Sequence, residues 1–77
     1  MKAEFIEHAE FKMRQRKIPK SFVCQTLTKP HHIHYQITGR DQYFRKFTKL
    51  YLKVVAMKAK DKFTVITVHW IDKMPKK

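Results

Sequence analysis

The chain has 77 residues, 43% of them hydrophobic, and carries eighteen Lys and Arg against six Asp and Glu, a formal net charge of +12. That length makes one small domain, residues 1–77, with material for a thin two-layer core. One glycine, three prolines and six phenylalanines argue against disorder, and no apolar run approaches membrane-spanning length. The single Cys24 excludes an internal disulfide and a cysteine metal pair. With an N-terminal stretch unlike a signal peptide, it points to the reduced cytoplasm and away from a membrane.

The charge is uneven. Residues 1–10 hold one basic and three acidic residues, which leaves seventeen basic and three acidic in residues 11–77, a net +14. Such density attracts a polyanion and binds it in a salt-dependent way. Nucleic acid is the expected partner on charge alone, an acidic protein the next and a membrane surface the last.

Along the chain, Phe5, Ile6, Ala9 and Met13 recur on one arc at 100° per residue, which predicts a helix over residues 3–16. His8, Lys12 and Arg16 form an i, i+4, i+8 row along one edge of the arc, and Arg14 points away from it. Glutamates at the start and arginines at the end suit the helix dipole. Pro19 suits the first turn of a second helix over residues 19–28, which shows Phe22, Val23, Thr26 and Leu27 on a common side, and Pro30 closes it.

From residue 32 the period becomes two. "HIHYQI" (32–37) reads as a strand, "TGRD" (38–41) as a turn, and "QYFRKF" (42–47) and "LYLKVVAMK" (50–58) as two further strands. "AKDK" turns the chain into "FTVITVHWI" (63–71), and "DKMPKK" reads as a frayed tail. The last two strands are apolar on both faces near Val54–Val55 and Val65–Val68, as central strands are. The expected fold is therefore α+β: two N-terminal helices packed on one face of a four-stranded antiparallel sheet.

The six carboxylates fall at helical, turn and tail positions with no paired spacing, and one glycine cannot make a phosphate loop. Histidine, arginine, lysine, tyrosine and threonine remain. That inventory suits metal-independent attack of an RNA 2′-hydroxyl on its own phosphate, which needs a proton acceptor, a proton donor and cations. His8 is the first proton carrier. Arg45 and Lys53 are strand cations in otherwise apolar surroundings, where an unsolvated charge is expensive. Thr67 and His69 share a face of the last strand, opposite Ile66, Val68 and Trp70. Together with Arg16 these form the candidate catalytic set. Lys12, Arg14 and Lys46 are candidate nucleic-acid contacts, and Tyr43 and Tyr51 are candidate base-stacking rings. "HHIH" at 31–34 puts His32 and His34 on one strand face. A third and a fourth ligand are not visible, so neither a metal nor another cofactor is expected.

"HAEFKMRQRKIP", followed by Leu27 and Pro30, resembles the start of a family of small prokaryotic RelE/ParE-like proteins of uncharacterised function. His8, Ala9, Lys12, Met13, Arg16 and Ile18 carry the resemblance, and "LYLKVVAMKAKDKFTVITVHW" looks like the family's last two strands. The resemblance implies a RelE-like domain and an RNA-cleaving toxin held in check by an acidic antitoxin. By position, His8, Lys12 and Arg16 would be the helix contribution, Arg45 and Lys53 the strand cations, and Thr67 and His69 the last-strand pair. Lys12 stands where the family more often has arginine, which loses the bidentate fork. His69 stands where tyrosine is common. Such folds also occur as non-catalytic binding modules.

Overall fold

A computed structural model describes residues 2–72; residues 73–77, read above as part of a tail, lie outside the described residues. Seven elements follow one another: β1 (Lys2–Phe5), α1 (Glu7–Arg16), α2 (Lys20–Thr28), β2 (His32–His34), β3 (Arg40–Phe47), β4 (Leu50–Ala59) and β5 (Lys62–Ile71). They build one sheet in the order β1-β5-β4-β3-β2.

The four-stranded antiparallel sheet expected above is therefore corrected. There are five strands, a strand precedes both helices, and β1 pairs with β5 in parallel, Lys2 opposite Lys62 and Phe5 opposite Val65. The remaining pairs are antiparallel. The physical reason lies in "KAEF". Ala3 and Phe5 pack on the core while Lys2 and Glu4 are exposed, an alternation that four residues share with the start of an amphipathic helix. The open edge of β5 decides between the two by supplying hydrogen-bond partners. Lys62 Nζ, 2.7 Å from Glu4 Oε1, adds a surface ion pair across the junction.

Ile6 ends β1 by donating its N–H to Val65 O at 3.2 Å, and α1 begins one residue later. Lys17 adopts a left-handed conformation (φ 55°) at the end of α1, and Ile18 N–H reaches back to Met13 O at 2.8 Å. This turn buries Ile18 and leads into Pro19, which caps α2. Val23, Thr26 and Leu27 are buried on α2, and Thr26 satisfies its hydroxyl on Phe22 O at 2.8 Å.

β2 is shorter than predicted. Beyond His34 the chain leaves the sheet, because Asp41 Oδ1 accepts the Gln36 N–H (2.9 Å) and Gly39, at φ 85°, closes a turn onto Gln36 O (3.0 Å). Tyr35 and Ile37 are left exposed.

A bulge in β5 sets its two faces. Val55 pairs with Thr67 but Ala56 pairs with Val65, so Ile66 is the extra residue. Phe63 and Val65 therefore share a face with Val68 and Trp70, although their numbers differ in parity. This is the origin of the apparently two-sided apolar run. Both helices cover that face: Ala9 and Met13 of α1, Ile18, and Val23 and Leu27 of α2 form one cluster with Tyr43, Leu52, Val54, Ala56, Phe63, Val65 and Val68. α1 lies against β5 and β1, and α2 against β4 and β3. Among the described residues, no helix covers the other face.

Candidate anion site on the open face of the sheet

Register assigns every strand side chain to a face, since directly opposed residues point the same way. On the open face one row runs His32, Phe44, Lys53, His69 across β2, β3, β4 and β5. The next row towards the β2–β3 turn is His34, Gln42, Val55, Thr67, and the row on the other side is Lys46, Tyr51, Ile71. On the helix side run Arg45, Leu52, Trp70 and Ile33, Tyr43, Val54, Val68.

β1 stops opposite Val65, so the second half of β5 has α1 alongside it instead of a strand. Ala9 and Met13 point into the core, which turns the His8, Lys12, Arg16 edge of the helix towards the rim of the open face. Arg16 Nη1 approaches Val68 O at 3.5 Å, a long contact one residue before His69. Lys53 stands directly opposite His69 on β4. Five side chains from three elements thus surround one patch: His8, Lys12 and Arg16 from α1, Lys53 from β4 and His69 from β5. All except the exposed His8 are partly buried.

The electrostatics of His69 follow. Its pKa is lowered from the ordinary 6.5, first by burial and then by the charges of Lys53, Arg16, Lys12 and His8. Both causes oppose a further positive charge. The neutral imidazole is therefore the resting form at pH 7, with a free nitrogen that can take a proton. As pH falls below 6.5 the unfolded chain takes up this proton before the folded one does, so the contribution of His69 to stability shrinks with acid.

The other sequence candidates separate by face. Thr67 and Tyr51 lie on the open side, in the rows flanking His69, and Lys46 Nζ sits 5.9 Å from the Tyr51 ring centroid. Tyr43 is only 4% exposed on the helix side, its ring edge-on to Phe63 at 5.6 Å, so it is a core ring and presents no face to a base. Burial raises its pKa. Arg45 also lies on the helix side. Its Nη1 donates to Lys29 O at 2.6 Å and approaches His31 Nε2 at 3.5 Å, while its guanidinium stands 5.7 Å from the Phe47 ring centroid. Its Nε is buried without a partner. Arg45 thus anchors the α2–β2 connection, on the opposite side of the sheet from Lys53. Arg14 lines an open cleft of about 500 Å³ at the α1–α2 corner with Glu10, Lys17 and Lys20. That cleft holds no histidine and lies at the other edge of α1.

His32 and His34 are the residues that sequence reasoning undervalued. Their alternation put them on one strand face, and register now adds that this face is that of Lys53 and His69. Among the described residues, no group of three or more His, Cys, Asp or Glu side chains is placed to hold a metal ion, and no helix is long and apolar enough to cross a membrane. The chain matches no protein-family model, no curated protein and no solved structure.

Proposed function

We propose that this protein is a small endoribonuclease that cleaves RNA by internal transesterification, with the scissile phosphate held between α1 and the open face of the sheet. The observation that carries the reading is the assembly of two imidazoles and three cations, His8, Lys12, Arg16, Lys53 and His69, from elements some fifty residues apart in sequence. The resemblance of the α1 motif to RelE/ParE-like proteins supports it, as does the +12 charge.

In the proposed step, neutral His69 accepts the proton of the 2′-hydroxyl as that oxygen bonds to phosphorus. The bond from phosphorus to the 5′-oxygen breaks, and His8, in its protonated form, donates a proton to the leaving oxygen. Lys53, Arg16 and Lys12 offset the charge that builds on the phosphorane oxygens. The products are a 2′,3′-cyclic phosphate and a free 5′-hydroxyl. Tyr51 offers a ring to an unpaired base beside the phosphate. An acidic antitoxin protein would cover the same cations, in the cytoplasm, to hold the enzyme silent.

The test is incubation of labelled RNA with the purified protein in the presence of a chelator. Cyclic-phosphate ends are expected, and His69→Gln should slow their formation about 100-fold or more. RNA retained in a salt-sensitive way with its ends unchanged would refute cleavage and leave a nucleic-acid-binding module.

A further inference from the structure

The open face offers more than the phosphate patch at its β5 rim. The row that contains Lys53 and His69 continues through Phe44 to His32 on the opposite edge strand, and His34 stands in the adjoining row. Three strand spacings of about 4.8 Å put His32 some 14 Å from His69. Between them Phe44 is completely buried, although it lies outside the main core cluster. The His32 ring leans on it at 5.7 Å and 44°. The face thus carries imidazoles at one end and the cationic patch at the other, with the buried Phe44 ring packed between them.

Carboxylates do not compete for this surface. Among the described residues the ion pairs are Lys20–Glu10 and Lys62–Glu4. In the open-face rows the acidic residue is Glu4, opposite Thr64 at the β1 corner and already held by Lys62. Asp41, next in chain to Gln42, belongs to the helix side and is engaged with Gln36 N–H.

We infer that His32 and His34 form a second anion subsite, at which the same RNA strand, running across the sheet from β5 towards β2, lays down a phosphate remote from the one that is cut. The inference rests on the proposed reading of the open face as an RNA site. Single-stranded RNA laid on an open sheet face is a recurrent mode of recognition, and the path from His69 to His32 crosses three strand spacings. The alternation of "HIH" is what puts both imidazoles on the RNA side while Ile33 packs inward opposite Tyr43. The β2–β3 turn beyond them leaves Tyr35 and Ile37 exposed.

The experiment uses uncleavable 2′-O-methyl oligonucleotides, a dinucleotide and a pentanucleotide. Binding is measured at low salt, where phosphate contacts are strongest. The pentanucleotide is expected to bind the wild-type chain more tightly than the dinucleotide, and His32→Gln with His34→Gln should weaken only the pentanucleotide, by about tenfold for a lost charge-assisted hydrogen bond. His34→Gln alone, at an exposed ring that does not cover Phe44, should give a smaller loss of the same kind, which separates the subsite from any effect on folding. Equal loss for both oligonucleotides, loss for neither, or no binding to the wild-type chain overturns the inference. Retention of the length-dependent loss in a chain that leaves ordinary RNA uncut would overturn cleavage and keep the subsite.

Discussion

The two faces of the sheet use the same kinds of residue for opposite purposes. Arg45 and Lys53 both interrupt apolar strands, on neighbours in one sheet, yet Arg45 stands opposite Leu52 among the helices and Lys53 opposite Phe44 and His69 on the open side. On the helix side a cation survives by giving its hydrogens to a backbone carbonyl and lying near a phenyl ring. On the open side the cations have neighbours that are themselves cationic, and after burial their charge further lowers the pKa of an imidazole. Arg45 is tied to the protein through Nη1, although its Nε has no partner, whereas a set of like charges kept together attracts an external anion. The position of a cation in the sheet, more than its identity, decides between the two.

The sharpest way to break this contrast is to substitute adjacent residues of β4. Leu52 is completely buried in the helix-side core, so Leu52→Ala should cost about 2–5 kcal/mol of stability by leaving a cavity. Lys53→Gln, one residue on, should change stability by no more than about 0.5 kcal/mol while sharply weakening RNA cleavage. Denaturant unfolding and a cleavage assay on the two variants read both effects. If Lys53→Gln unfolds the chain, the open face is part of the core and the contrast fails.

A smaller effect tests the other cation. Arg45→Ala frees the Lys29 carbonyl and uncovers Phe47, at an expected cost of about 1–2 kcal/mol. Cleavage by the molecules that remain folded should be unchanged. A loss of cleavage with stability intact would return Arg45 to the site.

These two residues also show what the amino-acid pattern could and could not reveal. In β3, Tyr43 and Phe44 are adjacent aromatics and both are buried, so alternation says that Arg45 opposes Phe44 in direction without saying which of them faces the helices. Only pairing with Leu52 settles it. The His8, Lys12, Arg16 row was legible because helical spacing is local, and so was the shared face of Thr67 and His69, which lies after the bulge. The parallel strand was not, since Phe5 satisfies both an alternating and a helical period and its partner Val65 is sixty residues away. The bulge at Ile66 likewise leaves no mark beyond a run of β-branched residues on both faces.

The central claim is that cations from α1 and β4 share one site with His69, and the most direct measurement is a proton NMR titration of the five histidine rings. The His69 ring should titrate below 6.5, and Lys53→Gln or Arg16→Gln should move its midpoint upward as a positive neighbour is removed. An uncleavable RNA phosphate should raise it further, since a bound anion favours the imidazolium. A His69 midpoint at or above 6.5 that ignores both substitutions and the added RNA would contradict the account.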